Sequence, residues 1–545
     1  MRSLTRLAHS VTDRGRNQTG LLRVPVQSSQ GRDLRILAPL LAGLTAIALS
    51  GCVSLEPRPE LPVEAAVPVG TGTVLDGLIA EAEASRPGQS GFRLVRDGPE
   101  AFAIRSRTAL VAGRSLDVQT YIWHDDPTGR YLAMRLLEAA DRGVKVRLLV
   151  DDMDARSKSY GFAALDAHPN IAVRMFNPLK TRSGALRFVA EAAGSFDRIN
   201  RRMHNKTWIA DNRIAIVGGR NLGDEYFGAS DEVNFVDLDF AMVGPIVRDA
   251  SASFDRYWNS PLAYPMAMLA PESGTPEALQ ALRDEIALRL GEAGRSRFAE
   301  ELRQSDAVQR LIAGDWPMHW SPNFRFIADD PLKALGKDGG IAGSDVLATL
   351  APVLEASQSK VTIISPYFVP GEAGTRTLVD IAQSGRDVRV LTNSLAANDV
   401  ALVYGGYSKS RPSLLEGGVQ LWELKPTAGS ATRSSFFGSS GASLHTKALA
   451  VDGTITFVGS YNLDPRSTSL NCEQGIFVDN RQIAVQLEGF FRTDSAGDRA
   501  WAVTLHDGEL QWSDGTATYD SSPEASAGRK FQAWLARLLP IDSQL

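Results

Sequence analysis

The feature that most constrains the fold of this chain is an internal repeat in which each copy contains the same motif, His-x-Lys-x4-Asp. The motif occupies His204–Asp211 in the first copy and His445–Asp452 in the second. In both copies an apolar stretch follows and ends in a glycine-containing turn with an asparagine, at Gly218–Asn221 and Gly459–Asn462. A long repeat of this kind predicts two homologous structural units.

Upstream of each motif the sequence alternates in the same way between β-branched stretches and an amphipathic stretch of helical period. The first copy has apolar stretches at 115–123, 144–150 and 171–176, and the second has them at 360–368, 388–391 and 419–424. Strand, helix and strand in succession are typical of parallel βαβ units. We therefore expect an α/β fold of two homologous domains, each a mainly parallel sheet flanked by helices, in a pseudo-twofold arrangement.

The motif residues point to phosphodiester chemistry. A histidine and a lysine two apart on a strand face the same side, so each copy places an imidazole beside an ammonium group. The imidazole can attack or transfer protons near neutral pH, and the lysine stabilises a phosphate oxygen as a point charge. We expect a catalytic set of His204, Lys206, Asp211, His445, Lys447 and Asp452, with phosphate donors at Gly219, Asn221, Ser460 and Asn462.

Within that catalytic set the two aspartates differ from the other residues. Asp211 and Asp452 precede turn-forming residues, and this position favours a role in holding the local fold over contact with the substrate.

Composition excludes several other classes of site. The chain has only two cysteines, and its seven histidines show no metal-ligand spacing, so nothing calls for a metal or another cofactor. The formal net charge of −5 argues against a nucleic-acid partner, although a local basic groove stays compatible with it.

The N-terminal region has the pattern of a secretory signal of the lipoprotein type. A basic flank precedes the apolar run 36–49, which is shorter than a membrane-spanning helix needs and leads into Leu49-Ser50-Gly51-Cys52. We expect a signal peptide at 1–51 and lipidation of Cys52. Residues 52–90 begin with a Pro-, Val- and Ala-rich stretch that predicts an extended tether.

The rest of the chain divides at the repeat. We expect an N-terminal domain at 91–270, a polar helical insertion or linker at 271–320 and a C-terminal domain at 321–545. Near the end of the chain the stretch FQAWLARLLPI is amphipathic, which is compatible with a membrane surface or with docking onto the domain.

Several stretches around the motifs resemble the phospholipase D superfamily and are most similar to bacterial cardiolipin synthases of the C type. They are LDVQTYIWHDD, RGVKVRLLVDD, NRRMHNK, GGRNLGDEYFGA, GSSGASLHTKALAVDG and GSYNLDPRSTSLNCE. The resemblance runs from about Gly91 to the C-terminus. It implies two phospholipase-D-like domains and phospholipid substrates. The location follows from the N-terminal region, where Leu49-Ser50-Gly51-Cys52 resembles a bacterial lipobox and is followed by Val53. This resemblance implies a lipid-anchored protein of the bacterial envelope that faces the periplasm, at the outer rather than the inner membrane.

The resemblance also implies roles for individual residues. His204 would attack the phosphorus and form a phosphohistidine, and His445 would act as the general acid and base. Asp237 and Glu473 would hydrogen-bond the catalytic imidazoles, with Asp239 as the competing candidate for the first of these acids.

Four functions remain open at this point. The first is phosphatidyl transfer that makes cardiolipin from phosphatidylglycerol and a second phospholipid. The second is hydrolysis to phosphatidic acid, which uses the same site with water as acceptor. The third is a metal-independent nuclease, and the fourth is a non-catalytic envelope binding protein, which the intact His-Lys pairs disfavour.

Overall fold

Each copy of the repeat folds around its own β-sheet. The computed structural model describes residues 55, 57–182, 191, 196–294, 296–339, 343–398, 400–426 and 444–538. The signal segment predicted at 1–51 and Cys52 lie outside these residues. Within the described residues the first sheet has nine strands and the second has ten.

The strands are β1 Ser90–Val95, β2 Ser115–Thr120, β3 Lys145–Asp151, β4 Ile171–Phe176, β5 Thr207–Ala210, β6 Ile214–Gly218, β7 Asp239–Val243, β8 Ala263–Pro265, β9 His319–Ser321, β10 Phe324–Ala328, β11 Lys360–Ile364, β12 Asp387–Asn393, β13 Gln420–Leu424, β14 Ala448–Val451, β15 Ile455–Gly459, β16 Gln474–Asp479, β17 Ala500–His506, β18 Glu509–Ser513 and β19 Thr518–Tyr519.

The helices are α1 Val74–Ala84, α2 Gly98–Val111, α3 Pro127–Asp141, α4 Asp152–Ala155, α5 Ser159–Asp166, α6 Phe196–Ile199, α7 Asp224–Phe227, α8 Pro245–Asn259, α9 Met266–Leu269, α10 Pro276–Ala293, α11 Arg297–Gln304, α12 Asp306–Ala313, α13 Asp345–Glu355, α14 Gly371–Gln383, α15 Ala401–Glu416, α16 Pro465–Ser469, α17 Arg481–Asp494 and α18 Ala527–Leu538, with 3-10 segments at Arg156–Lys158 and Pro331–Gly339.

The two sheets share one strand order, which confirms the predicted homology of the halves. The first runs β8-β4-β3-β2-β5-β6-β7-β1, with β9 at its edge. The second runs β17-β13-β12-β11-β14-β15-β16-β10, with β18 and β19 beyond β17. The α/β class is therefore confirmed.

The prediction that the sheets are mainly parallel was wrong. Only β2-β3-β4 and β11-β12-β13 pair in parallel within the described sheets, and the other neighbours are antiparallel. The βαβ units produce the parallel pairs because a helical crossover returns the chain in the same direction. The motif hairpins β5-β6 and β14-β15 add antiparallel strands beside the parallel strands of the first and the second sheet.

One hydrophobic core lies between the sheets and belongs to both halves. It joins inward-facing residues of the first sheet, such as Phe240, to residues of the second, such as Ile476. Helices α8 and α17 contribute Phe254 and Leu487 to the same cluster. Because strand residues alternate between the two faces of a sheet, the opposite faces pack against separate outer cores under the remaining helices.

The segment 52–90, predicted as a tether, is docked on the first half over its described part. Leu75 and Ile79 of α1 are buried in the outer core of that half. Arg58 donates to the carbonyl of Asn259, and Glu64 forms an ion pair with Arg174 at 2.9 Å. Residues 57–70 form neither a helix nor a strand, and charged anchors together with the apolar residues of α1 fix the segment to the surface.

The region predicted as a helical insertion at 271–320 contains α10, α11 and α12 and ends in β9. No helix among the described residues combines the length and the apolar character that crossing a bilayer requires.

The aspartate that ends each motif connects its hairpin to the start of the first parallel strand. Asp211 has a positive φ of 53° and accepts hydrogen bonds from the backbone N–H groups of Gly113, Arg114 and Ser115. Asp452, at φ 52°, accepts in the same way from 358–360. These bonds anchor the hairpins and favour a structural role for the two aspartates, while their place in the catalytic set stays a prediction.

The two aspartates differ in exposure, which predicts unequal effects on stability. Asp211 is 0 % exposed, whereas Asp452 is half-buried. Asp211→Ala leaves buried N–H groups without an acceptor and should lower the free energy of unfolding by roughly 3 kcal/mol, against about 1 kcal/mol for Asp452→Ala, whose amides water can reach. Thermal and urea unfolding of the two variants measure this difference, and equal losses would contradict it.

Candidate active site

Two short β-bridges connect the halves beside the histidine motifs. Met203 pairs with Cys472, and Val236 pairs with Leu444. In each bridge a backbone N–H of a histidine donates to the opposite half at 2.9 Å, to the carbonyl of Cys472 or of Val236. In the first bridge the next residues are therefore His204 and Glu473, and in the second they are Asp237 and His445. Each bridge thus brings a histidine of one half next to an acid of the other.

His204 is held by an acid of the second half. Its Nδ1 lies 2.9 Å from Oε2 of Glu473 and 3.1 Å from the carbonyl oxygen of Ser460. A carbonyl oxygen only accepts, so Nδ1 carries the proton and Nε2 keeps its lone pair. The ring of Tyr121 meets the imidazole edge-on at 5.2 Å. These contacts fix both the tautomer and the orientation of the ring.

His445 is held in the same way by an acid of the first half. Its Nδ1 lies 2.6 Å from Oδ2 of Asp237. Burial raises the pKa of Asp237, but the neighbouring His445 and Lys447 outweigh burial and bring the pKa below its usual value. The carboxylate therefore accepts from Nδ1, and Nε2 is again the free nitrogen. Phe235 stacks on this imidazole at 5.4 Å, and Tyr226 meets it edge-on at 5.3 Å.

The two motif lysines are buried next to the histidines. Nζ of Lys206 donates to the carbonyl of His204 at 2.5 Å, and Nζ of Lys447 donates to that of His445 at 2.6 Å. Burial, together with the charge of Lys447, holds the pKa of Lys206 well below its usual value, against the opposing effect of Glu473. Two cationic side chains close together in a buried site favour the binding of an anion between them.

The same charges act on the imidazoles. Burial, followed by the charges of Lys206 and Lys447, lowers the pKa of His204 well below its ordinary value. Burial and Lys447 lower the pKa of His445 to about 4, although Asp237 raises it. Both imidazoles are therefore neutral at pH 7 in the free protein. Each histidine is influenced by the lysine of the other half, so all four groups share one small volume.

Two of the predicted phosphate donors, Gly219 and Ser460, lie next to the carboxylates of Asp237 and Glu473. Gly219 donates its N–H to the carbonyl of Leu238 at 3.1 Å, and a Cβ at Gly219 would collide with the carboxylate of Asp237. The hydroxyl of Ser460 donates to Oε2 of Glu473 at 2.5 Å. Both donors are thus used within the protein, and phosphate binding by these two residues stays a prediction. Gly219 makes room for one acid, and Ser460 hydrogen-bonds the other.

The two predicted asparagines have different surroundings. Asn221 uses its carboxamide within the first half, accepting from the N–H of Ile122 at 3.2 Å and donating to the hydroxyl of Tyr226 at 2.9 Å. Asn462 is 4 % exposed, and its Oδ1 has no hydrogen-bond partner among the described residues. Asn462 is therefore the better placed of the two for a ligand.

The structure distinguishes Asp237 from its competitor. Asp239 forms buried ion pairs with Arg105 at 2.9 Å and Arg220 at 3.3 Å, so it stabilises the first half and does not contact an imidazole. The aromatic contacts of Tyr226 and Phe235 with His445 were not predicted from the sequence. For Tyr226 a signal was available in the aromatic pair at 226–227, close after the asparagine turn.

Away from the histidines, His124, Asp126 and Glu225 lie close enough to one another to suggest metal ligands. Each has a local partner, however. Asp126 accepts from the N–H of Gly129 and of Asp224, and His124 pairs with Glu225 at 3.0 Å. Helix capping and an ion pair account for this cluster.

Comparison with known proteins identifies the family. The family model described as "Cardiolipin synthase, PLD-like domain" matches residues 108–258 and 350–495. Cardiolipin synthase C of Escherichia coli K12 is 39% identical over 466 residues, covering 84% of this chain and 96% of the relative. A cardiolipin synthase of Staphylococcus aureus Mu50 is 26% identical over 408 residues, covering 74% of this chain and 67% of the relative.

Among solved structures, the phosphatidylserine synthase of Haemophilus influenzae Rd KW20 superposes with a TM-score of 0.55 at 13% identity. The superposition covers 86% of this chain and 99% of the synthase chain. This likeness shows that the fold is shared. Since the family model covers more than half of the chain and the Escherichia coli relative matches most of both sequences, the predicted membership is confirmed, and the chain belongs to the cardiolipin synthase family of phospholipase-D-like phosphatidyltransferases.

Proposed function

We propose that this protein makes cardiolipin by transferring a phosphatidyl group from one phospholipid to phosphatidylglycerol. The observation that supports this most directly is the pair of neutral imidazoles, each with its Nδ1 bound to a carboxylate of the other half and both beside buried lysines. The name of the Escherichia coli relative supports cardiolipin as the product.

The proposed reaction has two steps at one phosphorus atom. Nε2 of His204 attacks the phosphorus, and the head-group alcohol leaves with a proton from Nε2 of His445. The acceptor alcohol then gives its proton to His445 and attacks the phosphohistidine, which restores His204. Lys206 and Lys447 stabilise the charge on the phosphate oxygens in both transition states.

Binding of the substrate favours protonation of His445, which the first proton transfer requires. In the free enzyme the pKa of His445 is about 4, and Lys447 is the largest cause of this shift after burial. A phosphodiester anion bound by the lysines offsets that positive charge and raises the pKa of His445 toward neutrality. The general acid is therefore protonated mainly when a substrate is present.

The N-terminal region is proposed to attach this chemistry to a membrane. We infer that Cys52 is lipidated after removal of residues 1–51, and that the enzyme faces the periplasm from the outer membrane. The apolar run 36–49 and the Leu-Ser-Gly-Cys sequence support this proposal. Multiple acyl chains give stable attachment where one chain gives only reversible binding.

The product of the reaction is the first test. Purified protein with phosphatidylglycerol, with and without phosphatidylethanolamine, should give cardiolipin by lipid mass spectrometry. His204→Ala should abolish the product, because the nucleophile is lost. Phosphatidic acid as the sole product would assign the protein to hydrolysis, and the absence of any lipid product would remove the proposal.

Because each imidazole has its own carboxylate partner, variants of the two acids can test which histidine is the general acid and which is the nucleophile. A general acid matters most for a poor leaving group, so Asp237→Asn should slow release of glycerol from phosphatidylglycerol by roughly 100-fold or more but release of p-nitrophenol from its phosphatidyl ester much less. Glu473→Gln, which acts on the nucleophile, should slow both reactions to a similar extent.

The measurement is kcat for both substrates with each variant, and unchanged thermal unfolding serves as the control for folding. If Glu473→Gln is the variant that spares p-nitrophenol release, His445 is the nucleophile and the proposed order is reversed.

The lysine charges predict a change in histidine titration. Lys447→Met removes a positive charge that disfavours the imidazolium, so the pKa of His445 should rise from about 4 toward its ordinary value. Lys206→Met should raise it less, since Lys206 is a smaller cause. NMR titration of ¹³C-labelled histidines, assigned with His445→Gln, measures both shifts. A pKa that stays unchanged or falls would contradict the charge coupling.

A further inference from the structure

The C-terminal helix α18 docks on the second half through its small side chains. Ala533 is 6 % exposed and Ala536 is fully buried, and both face α15. The helices approach so closely that a Cβ at Gly405 of α15 would collide with Ala536. This tight contact fixes which face of α18 points inward.

The opposite face of α18 is apolar and exposed. Phe531, Trp534, Leu535 and Leu538 are 60 %, 53 %, 43 % and 62 % exposed. Their spacing of three, four and seven residues places them on one side of the helix. The rings of Phe531 and Trp534 stack at 5.8 Å. The helix thus buries its alanines and presents its bulky side chains outward, the reverse of a surface helix that only packs on its own domain.

The charges of α18 are all positive. Its sequence, AGRKFQAWLARL, contains no acidic residue. Lys530 and Arg537 are seven residues apart and lie along one flank of the apolar stripe, while Arg529 is buried on the docked side. An aromatic stripe with a basic flank matches the boundary between acyl chains and anionic head groups.

Helix α18 is also connected to the catalytic strands. Nε of Arg529 donates to the carbonyl of Leu395 at 3.0 Å, two residues after the end of β12. The side chain of Asn393, the last residue of β12, bonds the backbone N–H and carbonyl of Leu444. Leu444 immediately precedes His445. A contact that fixes the position of α18 therefore also restrains Leu444, the residue beside one catalytic imidazole.

We propose that the exposed face of α18 inserts into the interface of an anionic phospholipid bilayer and orients the enzyme on it. This contact is additional to the proposed lipid anchor at the other end of the chain. A second copy of the chain is a poorer occupant. An antiparallel twofold contact through this face would bring the basic flanks together, and like charges repel.

A local probe tests the insertion in the full-length chain. Leu535→Cys, in a Cys52→Ser background, is labelled with a nitrobenzoxadiazole fluorophore. Cys472 is fully buried and is not expected to react. With vesicles of phosphatidylglycerol and phosphatidylethanolamine, emission should rise several-fold and shift to the blue, and nitroxide-labelled lipids should quench it. The matched control Val485→Cys, 51 % exposed on α17, should show neither change.

Charge and apolar variants sharpen the test. Lys530→Gln with Arg537→Gln should reduce the inserted fraction several-fold, as should replacing phosphatidylglycerol by phosphatidylcholine. Phe531→Ser with Trp534→Ser should abolish insertion without changing thermal unfolding, because both side chains are exposed.

Two outcomes would overturn the proposal. The label at position 535 would stay in water in the presence of the vesicles, whether or not the protein sediments with them. Alternatively, its emission would depend on protein concentration without vesicles, which would indicate a second copy. The probe requires no catalysis, so its result is independent of the lipid product assay.

Discussion

The exchange of carboxylates between the two halves is the interaction on which the rest of the site depends. Glu473 of the second half fixes His204, and Asp237 of the first half fixes His445. Neither half holds its own imidazole in this way. In the proposed mechanism the β-bridges and the core between the sheets therefore have a catalytic consequence, because a small rotation of one half would misalign both histidines at once.

The same exchange makes the two imidazoles unequal. Glu473 receives hydrogen bonds from the hydroxyls of Ser460 and Ser467, and burial is the largest cause of its raised pKa. Asp237 has Gly219 at the position corresponding to Ser460 and keeps a lowered pKa, through a 2.6 Å contact with His445. A strongly anionic partner stabilises an imidazolium, which suits the histidine that carries the proton.

Burial and the lysine charges lower the pKa of both imidazoles. In the proposed reaction the imidazoles would therefore stay neutral until an anionic phospholipid binds, so the chemistry would depend on delivery of the substrate from a bilayer. An interfacial α18, attached through Leu395 and Asn393 to Leu444 beside His445, would place the site at that surface. The proposed lipid anchor would then supply attachment, and the helix would supply orientation.

The sequence alone determined the two homologous halves, the α/β class, the family and the His-Lys pairs, because repeats and side-chain periodicity are local properties of the chain. It also singled out Asp237 and Glu473 as partners of the imidazoles. Only the tertiary structure decided that each acid serves the opposite half, that Asp211 and Asp452 anchor hairpins, and that Ser460 and Gly219 lie beneath the acids. The acid–imidazole contacts join residues 269 and 208 positions apart, and the hairpin anchors join residues 98 and 94 positions apart. All of these relations depend on how the strands and sheets pack, which no local pattern encodes.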